Sequence, residues 1–200
     1  ALGYYALAAN TTGTLNTAVG VALWSNTTAN DNTAMGYYAL AANTTGTQST
    51  AVGKDAGLAI TTGSGHTVFG FSALKAATTI DYGFAIGYEA GAANTSGTQN
   101  TFVGNFSGDS VTTGGDNTMV GFQAGGAVTT GTQNTTYGHR SGDNITTGNT
   151  NTLIGAAVDG SGTGTSNANG LGYNLSCQDN YTTIGQGTAD CRNAHGEATW

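Results

Sequence analysis

Apolar and polar residues recur along this chain with a period of seventeen, and each cycle turns on a glycine. The cycle from Asn32 to Gln48 reads NTAMGYYALAANTTGTQ. Thr33 and Met35 alternate there with Ala34 and Gly36, the two-residue period of a strand whose side chains point to opposite faces. The same alternation returns at Asn16–Gly20, Asn117–Gly121 and Asn151–Gly155. The residue directly before the glycine is Leu2, Val19, Met35, Val52, Phe69, Ile86, Val103, Val120, Tyr137, Ile154 or Leu171. This apolar column is predicted to face inward as the core. A second column of small residues, Ala6, Ala39, Ala56, Ala73, Ala90 and Ala124, stands three positions after the glycine.

The glycines themselves, Gly3, Gly20, Gly36, Gly53, Gly70, Gly87, Gly104, Gly121, Gly138, Gly155 and Gly172, are 17 apart except for one step of 16. A fixed short period means one structural unit stacked on its copies, each touching only its neighbours. Helical repeats fail on propensity, since each interior Gly costs a helix about 1 kcal/mol. Turn signals such as Asn43-Thr-Thr-Gly46 and Thr112-Thr-Gly-Gly115 fall once per cycle. The reading is an all-β protein, a β-solenoid or parallel β-roll of about eleven 17-residue coils. Stacked at about 4.8 Å per coil, it makes a rod roughly 50 Å long. Regular coils are expected over residues 1–172 and an irregular terminal coil over 173–200, where Gly185 follows Gly172 by only thirteen. Each repeat glycine marks either a corner that needs positive φ or no Cβ, or the close approach of another chain.

Composition narrows the function classes. There are 34 Gly, no Pro and only 8% charged residues, a poor match to disordered segments rich in Pro and charge. The net charge is −7 and the only basic residues are Lys54, Lys75, Arg140 and Arg192. That argues against a nucleic-acid partner, because phosphate binding needs Lys and Arg to displace counterions. No apolar run reaches the length of a membrane-spanning helix. No signal peptide is visible, since Ala1 falls inside a repeat.

The recurrent Asn-Thr-Ala-Val-Gly followed by x-x-Ala-Leu resembles the head repeats of trimeric autotransporter adhesins and related repeats of phage tail-fibre and tailspike proteins. The resemblance runs from Ala1 to about Gly172. It implies a left-handed parallel β-roll, three rolls packed around a common axis, no catalytic site and no cofactor. It also implies that the hydrophobic residue before each glycine lines the roll.

No residues assemble into an active site or a metal site. His66, His139 and His195 lie far apart, and His139 occupies the slot of Tyr88 and Phe122 in neighbouring coils. Asp109 and Asp143 share a position five after the glycine, two coils apart, and read as solvated turn carboxylates. An aromatic column, Tyr4, Tyr37, Phe71, Tyr88, Phe122 and Tyr173, follows the glycine and is broken by Lys54, Asn105 and Ala156. Such rings pack across coils, or bind sugars or another chain. Asn16, Asn32, Asn100, Asn117, Asn134 and Asn151 recur four before the glycine, where stacked amides can bond along the rod. Asn10, Asn26, Asn43, Asn94, Asn105 and Asn144 head Asn-x-Ser/Thr sequons and are possible glycan attachment points, or simply corner residues. Paired threonines, Thr44-Thr45 and Thr61-Thr62 among them, suggest an ice-binding solenoid as a minor alternative. Adjacent strand residues, however, face opposite ways. Cys177 and Cys191 take nearly equivalent positions in successive coils, so an intrachain disulfide is expected, with two free thiols as the alternative. A disulfide favours an extracellular, cell-surface or virion-surface setting.

The function expected is a non-enzymatic structural fibre or adhesin segment, a stiff rod for surface attachment or host recognition, with a cell-surface glycan or receptor as possible ligand. A self-assembling extracellular filament subunit is the alternative. Its motive is an apparent lack of end caps and a step of 18 from Gly185 through Trp200 to a following Gly3. Either way the chain is expected to work as a homo-oligomer, a trimer or an end-to-end filament.

Overall fold

The computed structural model describes residues 1–195. Nine three-residue strands succeed one another: Thr17–Val19 (β1), Thr33–Met35 (β2), Thr50–Val52 (β3), Thr67–Phe69 (β4), Phe84–Ile86 (β5), Thr101–Val103 (β6), Thr118–Val120 (β7), Thr135–Tyr137 (β8) and Thr152–Ile154 (β9). They are followed by Asp159–Gly160 (β10), Asn169–Tyr173 (β11), Ser176–Cys177 (β12), Tyr181–Gln186 (β13) and Ala189–Ala194 (β14). One sheet takes β1 to β9, then β11, β13 and β14, in chain order. All but β14 run parallel, so the chain is a β-solenoid of about ten turns with no helix among the described residues. Equivalent residues stand in register, Thr17 beside Thr33 and Val103 beside Val120. The short coil keeps that register, because Gly172 pairs with Gly185 across thirteen residues.

Each strand is short because its glycine ends it. Gly36 has φ +139, a region closed to side chains, and a Cβ there would sit 2.5 Å from the Gly53 carbonyl oxygen. The corner reading of the repeat glycine therefore holds, and the backbone that a Cβ would meet is that of the next coil of the same chain. Further left-handed corners recur at Tyr38, Leu40 and Gln48 and at their equivalents, which closes each coil in seventeen residues. The paired threonines lie in one of these turns rather than on a strand. The first donates its hydroxyl to the next coil, Thr44 Oγ1 to Thr61 O at 3.1 Å and Thr61 Oγ1 to Thr78 O at 3.1 Å. The second is exposed, so the pair presents no matched double array.

The core differs from the sequence expectation in one respect. The inward strand residue is two before the glycine: Ala18, Ala34, Ala51, Val68, Ala85, Phe102, Met119, Thr136 and Leu153 are all buried. The column directly before the glycine turns outward. Met35, Phe69, Ile86, Ile154 and Leu171 are exposed, Leu171 to 52%, and Val19, Val52, Val103 and Val120 are half-buried. The reason is the bore of the roll. A strand of three residues sends only its middle side chain inward, and in four of the nine strands the bore holds no more than an alanine there. The second small column is buried too: Ala39, Ala56, Ala73, Ala90 and Ala124 are fully enclosed, and Ala6, in the first coil, is half-buried. Core volume is balanced across neighbouring coils: Ala34 shares its coil with Leu40, Phe102 and Met119 share theirs with Gly108 and Gly125, and the space at Gly91 is filled by Phe102 and Leu74 from the coils on either side. A Cβ at Gly108 or Gly125 would run into the Phe102 ring or the Met119 side chain.

The expected Cys177–Cys191 bridge is absent; both thiols are free. Cys177, on β12, is buried in the core, where a Cβ at Gly170 would meet its sulfur at 2.5 Å. Cys191 is not in a further parallel coil but on β14, which returns antiparallel to β13 and pairs it with exposed Ile184. The two sulfurs thus belong to opposite sides of the wall. The hairpin strand β14 also covers the outer edge of β13 and carries Asp190 and Arg192, whose side chains pair at 2.7 Å. The expected continuity from Trp200 to Ala1 concerns residues 196–200, outside the described ones.

Candidate interaction surface

The outer face of the long sheet is the largest surface the fold builds by repetition. One column holds Thr17, Thr33, Thr50, Thr67, Phe84, Thr101, Thr118, Thr135 and Thr152. Beside it run Val19, Met35, Val52, Phe69, Ile86, Val103, Val120, Tyr137 and Ile154, and Leu171 and Ile184 extend it across β11 and β13. No charged residue stands in either column from β1 to β13. At the β9–β11–β13 end a shallow groove of about 310 Å³ is lined by Ile154, Leu171 and Ile184.

A second surface is the aromatic edge that follows the glycine corners. Phe71 and Tyr88 stack with centroids 5.1 Å apart, and Phe122 and His139 stack at 5.4 Å. The break expected at Asn105 is repaired by its neighbour, since the Phe106 ring lies 5.1 Å from Tyr88 and 6.1 Å from Phe122. The break at Lys54 is bridged differently, by its ammonium 5.2 Å from the Phe71 ring centre. At Val21 the neighbouring rings of Tyr5, Trp24 and Tyr38 stack instead, with centroids 5.5 and 6.2 Å apart, and at Ala156 no ring takes the place. His139 is a member of this column, as the sequence indicates.

Inside the roll the asparagines bond from coil to coil. Asn117 accepts from the Asn134 N–H at 3.0 Å and donates to Gly131 O at 2.9 Å; Asn100 and Asn134 repeat the pattern. Ser49, His66 and Gly83 interrupt the ladder. His66 is buried, its Nδ1 accepts from Gly83 N–H at 3.1 Å, and its Nε2 has no hydrogen-bond partner. Burial pushes its pKa down, against a weaker pull from Asp81 and the carbonyls of Gly63 and Ile80. Asp109 and Asp143 come close to Gly126 from both sides; burial raises the Asp109 pKa, and Asp143 is held by Arg140 at 2.8 Å.

The sequons divide by burial. Asn26, Asn43 and Asn94 are fully enclosed, and Asn43 spans its corner by accepting from Gly46 N–H and donating to Gly46 O. An amide committed in this way offers no nitrogen to a glycan, so these three are corner residues. Asn10 is half-buried and donates to Gly13 O; only Asn105 and Asn144 are exposed. Among the described residues no group of three or more His, Cys, Asp or Glu could hold a metal ion, and no helix is long and apolar enough to cross a membrane.

Sequence reasoning located the aromatic edge and the amide ladder but not the outer face, because it assigned those apolar residues to the core. The pairing of large Phe102 and Met119 with Gly108 and Gly125 was the signal that could have reversed the assignment. Compared with protein-family models, curated proteins and solved structures, the chain matches none of them.

Proposed function

We propose that this chain is a non-enzymatic rod segment of a surface fibre or adhesin, and that its working state is a lateral homo-oligomer closed through the outer sheet face. The observation that carries the reading is the apolar column of that face, exposed at Met35, Phe69, Ile86, Tyr137, Ile154, Leu171 and Ile184 and half-buried at the valines between them. Exposed apolar surface on this scale marks an interaction site. A second copy is the partner that fits it, because its columns have the same coil spacing. The face is also uncharged, so two chains of charge −7 can meet there without opposing like charges. The rod then supplies stiffness, since hydrogen bonds link every coil to the next.

Light scattering on the wild type and on Val103→Lys tests this. The wild type is expected to scatter as an oligomer and the variant as a folded monomer. A wild type that stays monomeric at high concentration, or a variant that assembles unchanged, would refute the reading.

A further inference from the structure

At Ala156 the aromatic ladder lacks a rung, and the gap is a built cleft. His139, Ala156 and Tyr173 occupy the same position in three successive coils, fixed by backbone bonds from Ala157 N to His139 O and from Asn174 N to Ala156 O, both 2.9 Å. Ala156 has no ring to stack, so the rings of His139 and Tyr173 stand two strand spacings apart, about 10 Å. Between them lies a cleft of about 350 Å³ walled by both rings. Its polar side carries Arg140, Asp143 and Asp159. Arg140 grips Asp143 through Nε and Nη2 on a single oxygen, Oδ2. Asp159 takes its two backbone N–H bonds, from Asn144 and Gly160, on Oδ1 alone. Asp159 therefore keeps Oδ2 for a donor in the cleft, whereas the remaining Asp143 oxygen, Oδ1, faces Gly126 in the preceding coil.

We propose that this missing rung is a binding site for a neutral pyranose ring. Intact rungs stack at 5.1 and 5.4 Å, so a ring entering at the Ala156 level would lie at stacking distance from both walls. The C–H faces of a pyranose suit aromatic faces. Its hydroxyls would donate to the free oxygen of Asp159 and accept from the remaining Arg140 N–H groups. A purely aromatic guest would leave those polar groups unanswered. The two carboxylates against one guanidinium, on a chain of charge −7, disfavour an anionic sugar. From Phe71 to His139 the rings already pack on one another, face to face or edge to face, which explains why the gap, not the ladder, is the site. The inference gives the adhesin reading a ligand class and rests on it only for its biological setting; the geometry stands by itself.

Saturation-transfer NMR with methyl glycosides of glucose, galactose, mannose and N-acetylglucosamine, each offered to the purified chain, tests it. At least one is expected to bind the wild type. Ala156→Phe, which completes the ladder with a residue already used at Phe71 and Phe122, should weaken that binding by about tenfold or more while the melting temperature holds. Tyr173→Ala, at an exposed strand end, should weaken it as well by removing one wall. Silence from all four glycosides, equal binding by both variants, or binding of 4-methylphenol with no glycoside signal would overturn the proposal. Assembly measured by light scattering would be untouched by either variant, so failure of this site and failure of the lateral oligomer are separable.

Discussion

Thr136 and Thr183 are the two threonines at the inward strand position among the described residues, and both hydroxyls are buried without a hydrogen-bond partner. An unpaired buried hydroxyl costs free energy that a methyl group of the same shape does not. Thr136→Val, the residue present at the equivalent Val68, is expected to stabilise the rod by about 1 kcal/mol in urea denaturation. His66 is a second point of polar mismatch. Its folded pKa lies below the ordinary value of 6.5, so the unfolded chain binds the proton more readily. Its contribution is full above pH 6.5 and is lost as pH falls from there toward the lowered folded value. Protonation would also take away the acceptor for the Gly83 N–H. His66→Asn restores the ladder residue, and its stability should fall less than that of the wild type between neutral and mildly acid pH. Identical pH profiles for the two proteins would contradict the assignment.

At the scale of the coil, two elements behave differently from their sequence appearance. The regular strand reads as Thr-Ala-Val, and period alone tells that Thr and Val share a face, not which face is inside. Hydrophobicity favours Val inward; the narrow bore favours Ala, and the bore decides. Phe102 is then the largest fully buried residue, so Phe102→Ala should cost about 3–5 kcal/mol, with Gly91 and Gly108 beside it unable to fill the space. The second element is the final hairpin. The glycine spacing made Gly185 legible as a corner, and it is one, in register with Gly172. Nothing in the spacing signals that β14 reverses direction, because a reversal needs only the Gly187 corner and leaves no periodic trace. For that reason the disulfide was expected where none forms. Under native conditions Cys191 should react with a thiol reagent while Cys177 stays protected, and both should react once the chain is unfolded; a single slow-reacting pair would contradict this.

As a whole molecule the solenoid has a long uncharged apolar face, an edge of packed rings that opens at Ala156, and a core bonded lengthwise by amides. The period, the all-β class and the amide and aromatic columns were legible because each is a one-residue property repeated at fixed spacing. The outer face and the cleft were not, because both depend on which way a column points and on what three neighbouring coils leave empty. Small-angle X-ray scattering separates the possible assemblies most directly, since it reads cross-section and length independently. Lateral association predicts a cross-section larger than that of one roll with the length of a single rod, about 50 Å. A single-roll cross-section at high concentration, with or without growth in length, would contradict it.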